Sequence, residues 1–189
     1  MTRDALRRIA PGKTVLELGC GSALMMEEII GWGAKKYVGI DLASVAIDRA
    51  RERARGNGDL LDKVELIRCD ARDIEEQNAD ICISLGLLDW LHRDEISAIF
   101  KKNNAKYYIH SFSERRVSFD QAVHAAYVFF LYGYRNPSYR PKYYSEASIQ
   151  QCLLESGAPQ ATIFRSPMLS FGCFACHLPF ELEPFVGAD

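Results

Sequence analysis

The sequence has no long hydrophobic run, no excess of positive charge, no internal repeat and no low-complexity tract. Its greasiest stretch, AAYVFFLYGY at residues 125–134, is about half the length that crosses a bilayer, so no membrane partner is expected. The net charge of -2 argues against an electrostatic grip on nucleic acid. Met1, Thr2, Arg3 and Asp4 open no signal peptide. Without one, Cys20, Cys69, Cys82, Cys152, Cys173 and Cys176 read as reduced, mostly buried thiols of a cytoplasmic protein rather than a disulfide framework.

What remains is ordinary globular material. The 189 residues are enough for a single domain with a real core, and 48% of them are hydrophobic and 25% charged. Continuous apolar runs at Thr14–Leu18, Tyr37–Ile40, Val64–Arg68, Ile81–Leu85 and Lys106–His110 read as strands covered on both faces. Helical segments at Leu24–Ile30, Ser44–Arg55 and Arg93–Lys101 alternate with them. That order predicts an α/β fold, a doubly wound, mostly parallel sheet with helices on both faces. A last helix, Glu146–Glu155, has Ser145 as N-cap and Gly157 as its stop. Two strands then follow in succession, Ala161–Ser166 and Phe171–Leu178, joined by Pro167–Ser170. They predict seven strands in all, with an antiparallel strand at the C-terminal end.

Ligands of such sheets bind outside the carboxyl ends of the strands. There the chain reads VLELGCGSA at 15–23 and YVGIDLA at 37–43. Gly19 and Gly21 would let a ligand approach the backbone, and Asp41 could accept both hydroxyls of a ribose or simply cap the next helix. A dinucleotide fingerprint needs a third glycine where Leu24 stands, which disfavours an NAD(P)-dependent oxidoreductase. Gly12-Lys13-Thr14 lacks the earlier glycine of a P-loop.

Glu17-Leu18-Gly19-Cys20-Gly21, an acid two residues before G-x-G, resembles motif I of the class I S-adenosylmethionine-dependent methyltransferases. Gly39-Ile40-Asp41-Leu42, Ile67-Arg68-Cys69-Asp70-Ala71 and residues 79–86 (ADICISLG) resemble the motifs that follow, in order, over about residues 14–92. The resemblance implies S-adenosyl-L-methionine as cofactor. It also implies that Gly19 and Gly21 lie against its methionine part, with Glu17 holding the turn and the amino group. Asp41 would take the ribose, Leu42 would pack on the adenine, and Asp70 and the Ala71 amide would meet the adenine edge. The Leu85 backbone would face the reactive end. Leu42 and Leu85 read equally as core leucines, and Asp70 as a helix cap.

No N/D/S-P-P-Y/F signature and no Pro-Cys follow the fourth strand, which argues against a DNA methylase. SLGLLDWLHRDE at 84–95 and Pro141-Lys142-Tyr143-Tyr144-Ser145 are similar to small-molecule methyltransferases. The expected acceptor is a small molecule with an O- or N-nucleophile or a carboxylate. Candidate proton acceptors are His110, Asp89 and His92, although a carboxylate or amine acceptor would need none. A catalytically silent, cofactor-binding partner subunit is the remaining alternative.

Residues 112–144 read as an aromatic-rich helical insertion or lid. Val123, Tyr127, Phe130 and Tyr134 share one helical face, yet the opposite side is apolar too. Such a helix would pack on the sheet, pack on a second subunit in a homodimer, or close over an apolar or aromatic acceptor. Arg115, Arg116, Arg135, Arg140 and Lys142 could meet an anionic group on it, or simply be solvated. Cys173-Phe174-Ala175-Cys176-His177 imitates a haem attachment motif, but three residues along a strand put the sulfurs on opposite faces, so no metal or haem is expected. Alternate arginines at 49, 51, 53 and 55 read as a solvated helix surface.

Overall fold

A computed structural model of the chain describes residues 1–103, 105–133, 140–166 and 170–181. Tyr134, Arg135 and most of the link at 167–170 lie outside the described residues. The strands are β1 (Thr14–Leu18), β2 (Lys36–Asp41), β3 (Val64–Arg68), β4 (Ile81–Ser84), β5 (Tyr107–Ser113), β6 (Thr162–Arg165) and β7 (Gly172–His177). They form one sheet in the order β3-β2-β1-β4-β5-β7-β6. β1 to β5 pair in parallel, and β7 runs antiparallel to both its neighbours.

Helical layers on both sides explain why the central strands are apolar at successive positions. Leu16, Leu18, Val38, Ile40 and Cys82 face a core shared with α4 (Arg93–Lys102) and α6 (Glu146–Ser156). Val15, Tyr37, Ile81 and Ile83 face the opposite core, built with α1 (Thr2–Ile9), α2 (Met26–Gly31) and α3 (Ser44–Arg55). β3 and β6 stand at the edges and are only partly covered. Within β7, Cys173 joins the first core and Cys176 the second. No described cysteine is in a disulfide.

Two boundaries depart from the sequence expectation for physical reasons. The helix expected from Leu24 begins at Met26, because Ala23 adopts a left-handed φ of 51° and Leu24 completes the turn, 70% exposed. β5 runs three residues past His110, because Ser111, Phe112 and Ser113 pair with Phe174, Cys173 and Gly172.

The third departure is α5 (Phe119–Val128), which continues as a π-type turn, Phe129–Gly133. Ser118 caps it, its hydroxyl accepting from the Gln121 amide. The helix buries Gln121 and Val128, whereas Tyr127 and Phe130 are 60% and 74% exposed. The expectation that those rings are covered is therefore not met within the described chain. No described helix is long and apolar enough to cross a membrane.

Candidate functional site

Strand order reverses at β1, flanked by β2 and β4, which opens a crevice over the strands' carboxyl ends. The turn leaving β1 is built from left-handed residues: Gly19 at φ 68°, Gly21 at 54° and Ala23 at 51°. At Gly19 a Cβ would also come within 3.1 Å of the Leu87 side chain, so glycine is needed for space as well as conformation.

Two side chains hold this turn. Asp41, at the end of β2, accepts from the Gly21 amide through Oδ2 at 2.8 Å and from the Ala43 amide through Oδ1 at 2.8 Å. Arg53, on α3, donates to the carbonyls of Ser22 (2.7 Å) and Ala23 (3.3 Å). The solvated reading of Arg53 is thereby corrected: its guanidinium wraps a loop thirty residues away in sequence. Arg51 likewise reaches the Leu66 carbonyl at 3.1 Å.

Beside the turn lies a cavity of about 470 Å³, lined by Gly19, residues 40–43 and 69–72, Leu87, Trp90 and Leu91. The fold thus brings Gly19, Asp41, Leu42, Asp70 and Ala71 around one space. Gly21 sits at the turn, bonded to Asp41. Leu85 packs in the core beneath α1 to α3, and Leu87 stands on the cavity wall. A cavity of about 590 Å³ lies at the opposite end of the sheet, beside Thr162, His177 and Phe180, away from the strands' carboxyl ends.

Asp70 is already engaged. Arg72 donates to its Oδ1 through the backbone amide and Nε (2.9 Å each) and to Oδ2 through Nη2 at 2.5 Å, while Nη1 reaches Glu95 at 2.9 Å. Those bonds hold the Asp70 carboxyl below its ordinary range. Arg72 lines the cavity and was not singled out in the sequence; a cation two residues after a strand-end acid is the signal that could have found it.

Glu17 lies beneath the turn, 5% exposed, accepting from the Tyr37 hydroxyl at 2.5 Å. Burial pushes its carboxyl up to about 7, with the Tyr37 bond opposing and the charge of Asp41 adding. Burial likewise pushes the Cys20 thiol up to about 12, which keeps it from acting as a nucleophile.

The three candidate proton acceptors are held quite differently. His110 is 2% exposed, its Nδ1 2.9 Å from the Ser84 hydroxyl, its ring stacked on Phe100 and Tyr108 at 4.4 and 5.2 Å. Burial pushes it down to about 3. Sealed and neutral, it has no path to a ligand's proton, which corrects its reading as a base. His110→Ala is expected to cost about 2–5 kcal/mol of stability, as for other large buried side chains. Chemical denaturation will show it, and an unchanged midpoint would mean the ring is not part of the core.

Asp89 joins the short turn after β4 to the end of β5: Oδ1 accepts from the Ser113 amide and Oδ2 from the Ser113 hydroxyl, both at 2.7 Å. Burial raises its pKa, while Ser113 and the charge of His124 pull it down. His92 is the exposed N-cap of α4, its amide donating to Glu95 at 2.6 Å.

Comparison with known proteins bears on the fold. Residues 15–105 match a family model described as a methyltransferase domain. That match spans a little under half of the chain. Ribosomal protein L11 methyltransferase of Escherichia coli O1:K1 is 37% identical over 73 residues, 39% of this chain. The matched part spans 24% of the length of that relative. Among solved structures, magnesium protoporphyrin IX methyltransferase from Synechocystis PCC 6803 with bound SAH superposes with a TM-score of 0.70 at 20% identity. That match covers 93% of this chain and 80% of the other. Mitomycin 7-O-methyltransferase gives 0.68 at 15%, over 93% and 53%. An S-adenosylmethionine-dependent methyltransferase from Mesorhizobium loti gives 0.69 at 14%, over 92% and 95%. Each shares the fold of this chain, a seven-stranded sheet with an antiparallel β7.

Proposed function

We propose that the chain transfers a methyl group from S-adenosylmethionine to a small-molecule acceptor. The observation that carries the reading is the meeting of Gly19, Asp41, Leu42, Asp70 and Ala71 around one cavity at the strands' carboxyl ends.

The residues fit such a donor. Each Asp41 oxygen holds one backbone amide and keeps a second acceptor site, as two ribose hydroxyls require. Leu42 is 55% exposed at the cavity wall, a flat apolar surface for a purine. Asp70 and the Ala71 amide would meet the adenine edge, with Arg72 sharing the Asp70 carboxylate. Glu17 beneath the turn would balance the donor's ammonium group. When bound, S-adenosylmethionine supplies a methyl group already activated on sulfur, so the protein's task is to hold the acceptor in line and exclude water.

Two of the structural neighbours are named for small molecules, magnesium protoporphyrin IX and mitomycin. They support a small-molecule acceptor over the ribosomal protein named for the relative that shares 73 residues. α5, tied by Gln121 to Glu114 and Arg116 just past the end of β5, would serve as a lid. An anionic group on the acceptor would meet Arg115 and Arg140, since Arg116 pairs with Glu114 at 2.7 Å and Lys142 donates to the Trp90 carbonyl at 2.9 Å.

Titration calorimetry with S-adenosylmethionine, S-adenosylhomocysteine and NAD tests the donor. The first two are expected to bind and the third to give no heat. Silence with both adenosyl ligands, or binding of NAD alone, would end the reading.

A further inference from the structure

The alternate arginines of α3 meet different surroundings. Arg49 and Arg55 stand exposed, and neither guanidinium meets a described partner. Arg51 turns outward along the sheet edge, to Asp48 on its own helix and the Leu66 carbonyl of β3. Arg53 turns the other way. Its Nη1 donates to the Ser22 and Ala23 carbonyls at 2.7 and 3.3 Å, and its Nε lies 3.9 Å from a carboxylate oxygen of Glu27 on α2. One guanidinium thus grips both the turn after β1 and the helix that follows it. Packing brings α3 to this place, since Ala50 and Ala54 share a buried cluster with Ala23 and Met26.

The grip matters because the turn is strained. Among the described residues, Ala23 is the only non-glycine with a positive φ, at 51°. A residue with a Cβ stays in the left-handed region only where its surroundings over-determine it. Within the turn itself the Ala23 amide donates to the Cys20 carbonyl at 2.9 Å, and the Met26 amide to the Ala23 carbonyl at 3.2 Å. Those bonds are local. Two braces come from elsewhere in the chain: Asp41 holds the first half of the turn at the Gly21 amide, and Arg53 holds the second half at two carbonyls.

We infer that Arg53 is a positioning residue for the donor, clamping the turn after β1 in the shape that receives the amino-acid end of S-adenosylmethionine. Arg53 lines no part of the donor cavity, so it acts through the turn rather than on the ligand. The two ends of the donor then depend on it unequally. Asp41, Leu42, Asp70 and Ala71 would hold the nucleoside, and none of them bonds to Arg53. The turn that opens at Gly19 on the cavity wall would hold the amino-acid end. Without the clamp Ala23 relaxes toward the right-handed region, and only a fraction of the molecules keep a turn ready to bind.

The inference rests on the donor reading above, and two ligands separate them. S-adenosylhomocysteine carries both ends of the donor, whereas 5′-methylthioadenosine keeps the nucleoside and sulfur and lacks the amino-acid end. Calorimetry on the whole chain measures both. Arg53→Met keeps the apolar stem and removes the guanidinium. It should weaken S-adenosylhomocysteine by about tenfold, as for a lost bond from a charged donor, and leave 5′-methylthioadenosine unchanged. Ala23→Gly added to Arg53→Met should restore part of that loss, because glycine enters the left-handed region without a brace. Arg53→Gln, too short to reach the turn, carries the same comparison if Arg53→Met does not fold. Arg49→Met removes the same charge from the same helix and should bind both ligands as wild type does. The inference is overturned if both ligands weaken equally, if S-adenosylhomocysteine binds undiminished, or if glycine at position 23 restores nothing. An equal loss in Arg49→Met would overturn it too, by making charge rather than the clamp the cause. Failure of the wild type to bind either ligand would instead sink the donor reading.

Discussion

Asp41→Ala should weaken S-adenosylmethionine binding by about 1.5–3 kcal/mol, roughly ten- to a hundredfold or more, the usual cost of losing hydrogen bonds to a charged group. The carboxylate acts twice. Each oxygen braces a backbone amide, Gly21 on one side and Ala43 on the other, and each would take a ribose hydroxyl on its remaining lone pair. Alanine therefore removes the acceptors and loosens the glycine turn together. Asp41→Asn is the sharper variant. Its amide nitrogen must face one of two N–H donors, so it should recover only part of the loss. Calorimetry beside a thermal melt gives the result; a folded Asp41→Ala protein with undiminished affinity would place the ribose elsewhere.

Glu17→Gln is expected to change how stability depends on pH. Burial lifts the Glu17 carboxyl from 4.5 to about 7, so the native state binds a proton more tightly than the unfolded chain does. The stabilisation is complete below about pH 4.5 and is lost as pH rises through 7. A shift of that size corresponds to about 3 kcal/mol. Glutamine keeps an oxygen for the Tyr37 hydroxyl and cannot ionise, so the variant should be the more stable protein at pH 8, with its advantage gone near pH 4.5. Denaturant midpoints at several pH values decide it, and parallel curves for the two proteins would mean that Glu17 is not buried as a neutral acid. An ammonium group beside Glu17 favours its ionised form. Donor affinity should therefore climb with pH through about 7 in the wild type and stay level in Glu17→Gln.

Much of this architecture was legible because the physics is local. β1 and β3 begin and end where their apolar runs do, and α3 spans Ser44–Arg55 as its pattern predicts. The turn after β1 could be read because few residues other than glycine tolerate its left-handed backbone. Tertiary partners hid the rest. Nothing in the sequence around His110 tells that Phe100 and Tyr108 close over it. The helical spacing of Arg53 does not say that the Ser22 and Ala23 carbonyls lie within its reach. The surroundings of His124 are hidden for the same reason, since its partners come from distant parts of the chain, Asp89 before it and Tyr143 after it. The aromatic face of α5 reads as needing a cover, and within the described chain Tyr127 and Phe130 stand outward.

The strand order also governs the sequence of events as the chain is made. β6 precedes β7 along the chain, yet it reaches the sheet only through β7, which must slot in beside β5. Synthesis from the N-terminus can therefore assemble β1 to β5 while the last two strands are still unmade. Through that interval β5, seven residues long, carries an open edge of unpaired amides and carbonyls. Such an edge recruits other strands, including those of neighbouring nascent chains. A messenger truncated after α6 would fix the chain in that state, so its product is expected to accumulate as insoluble aggregates even though every residue of the donor cavity is present.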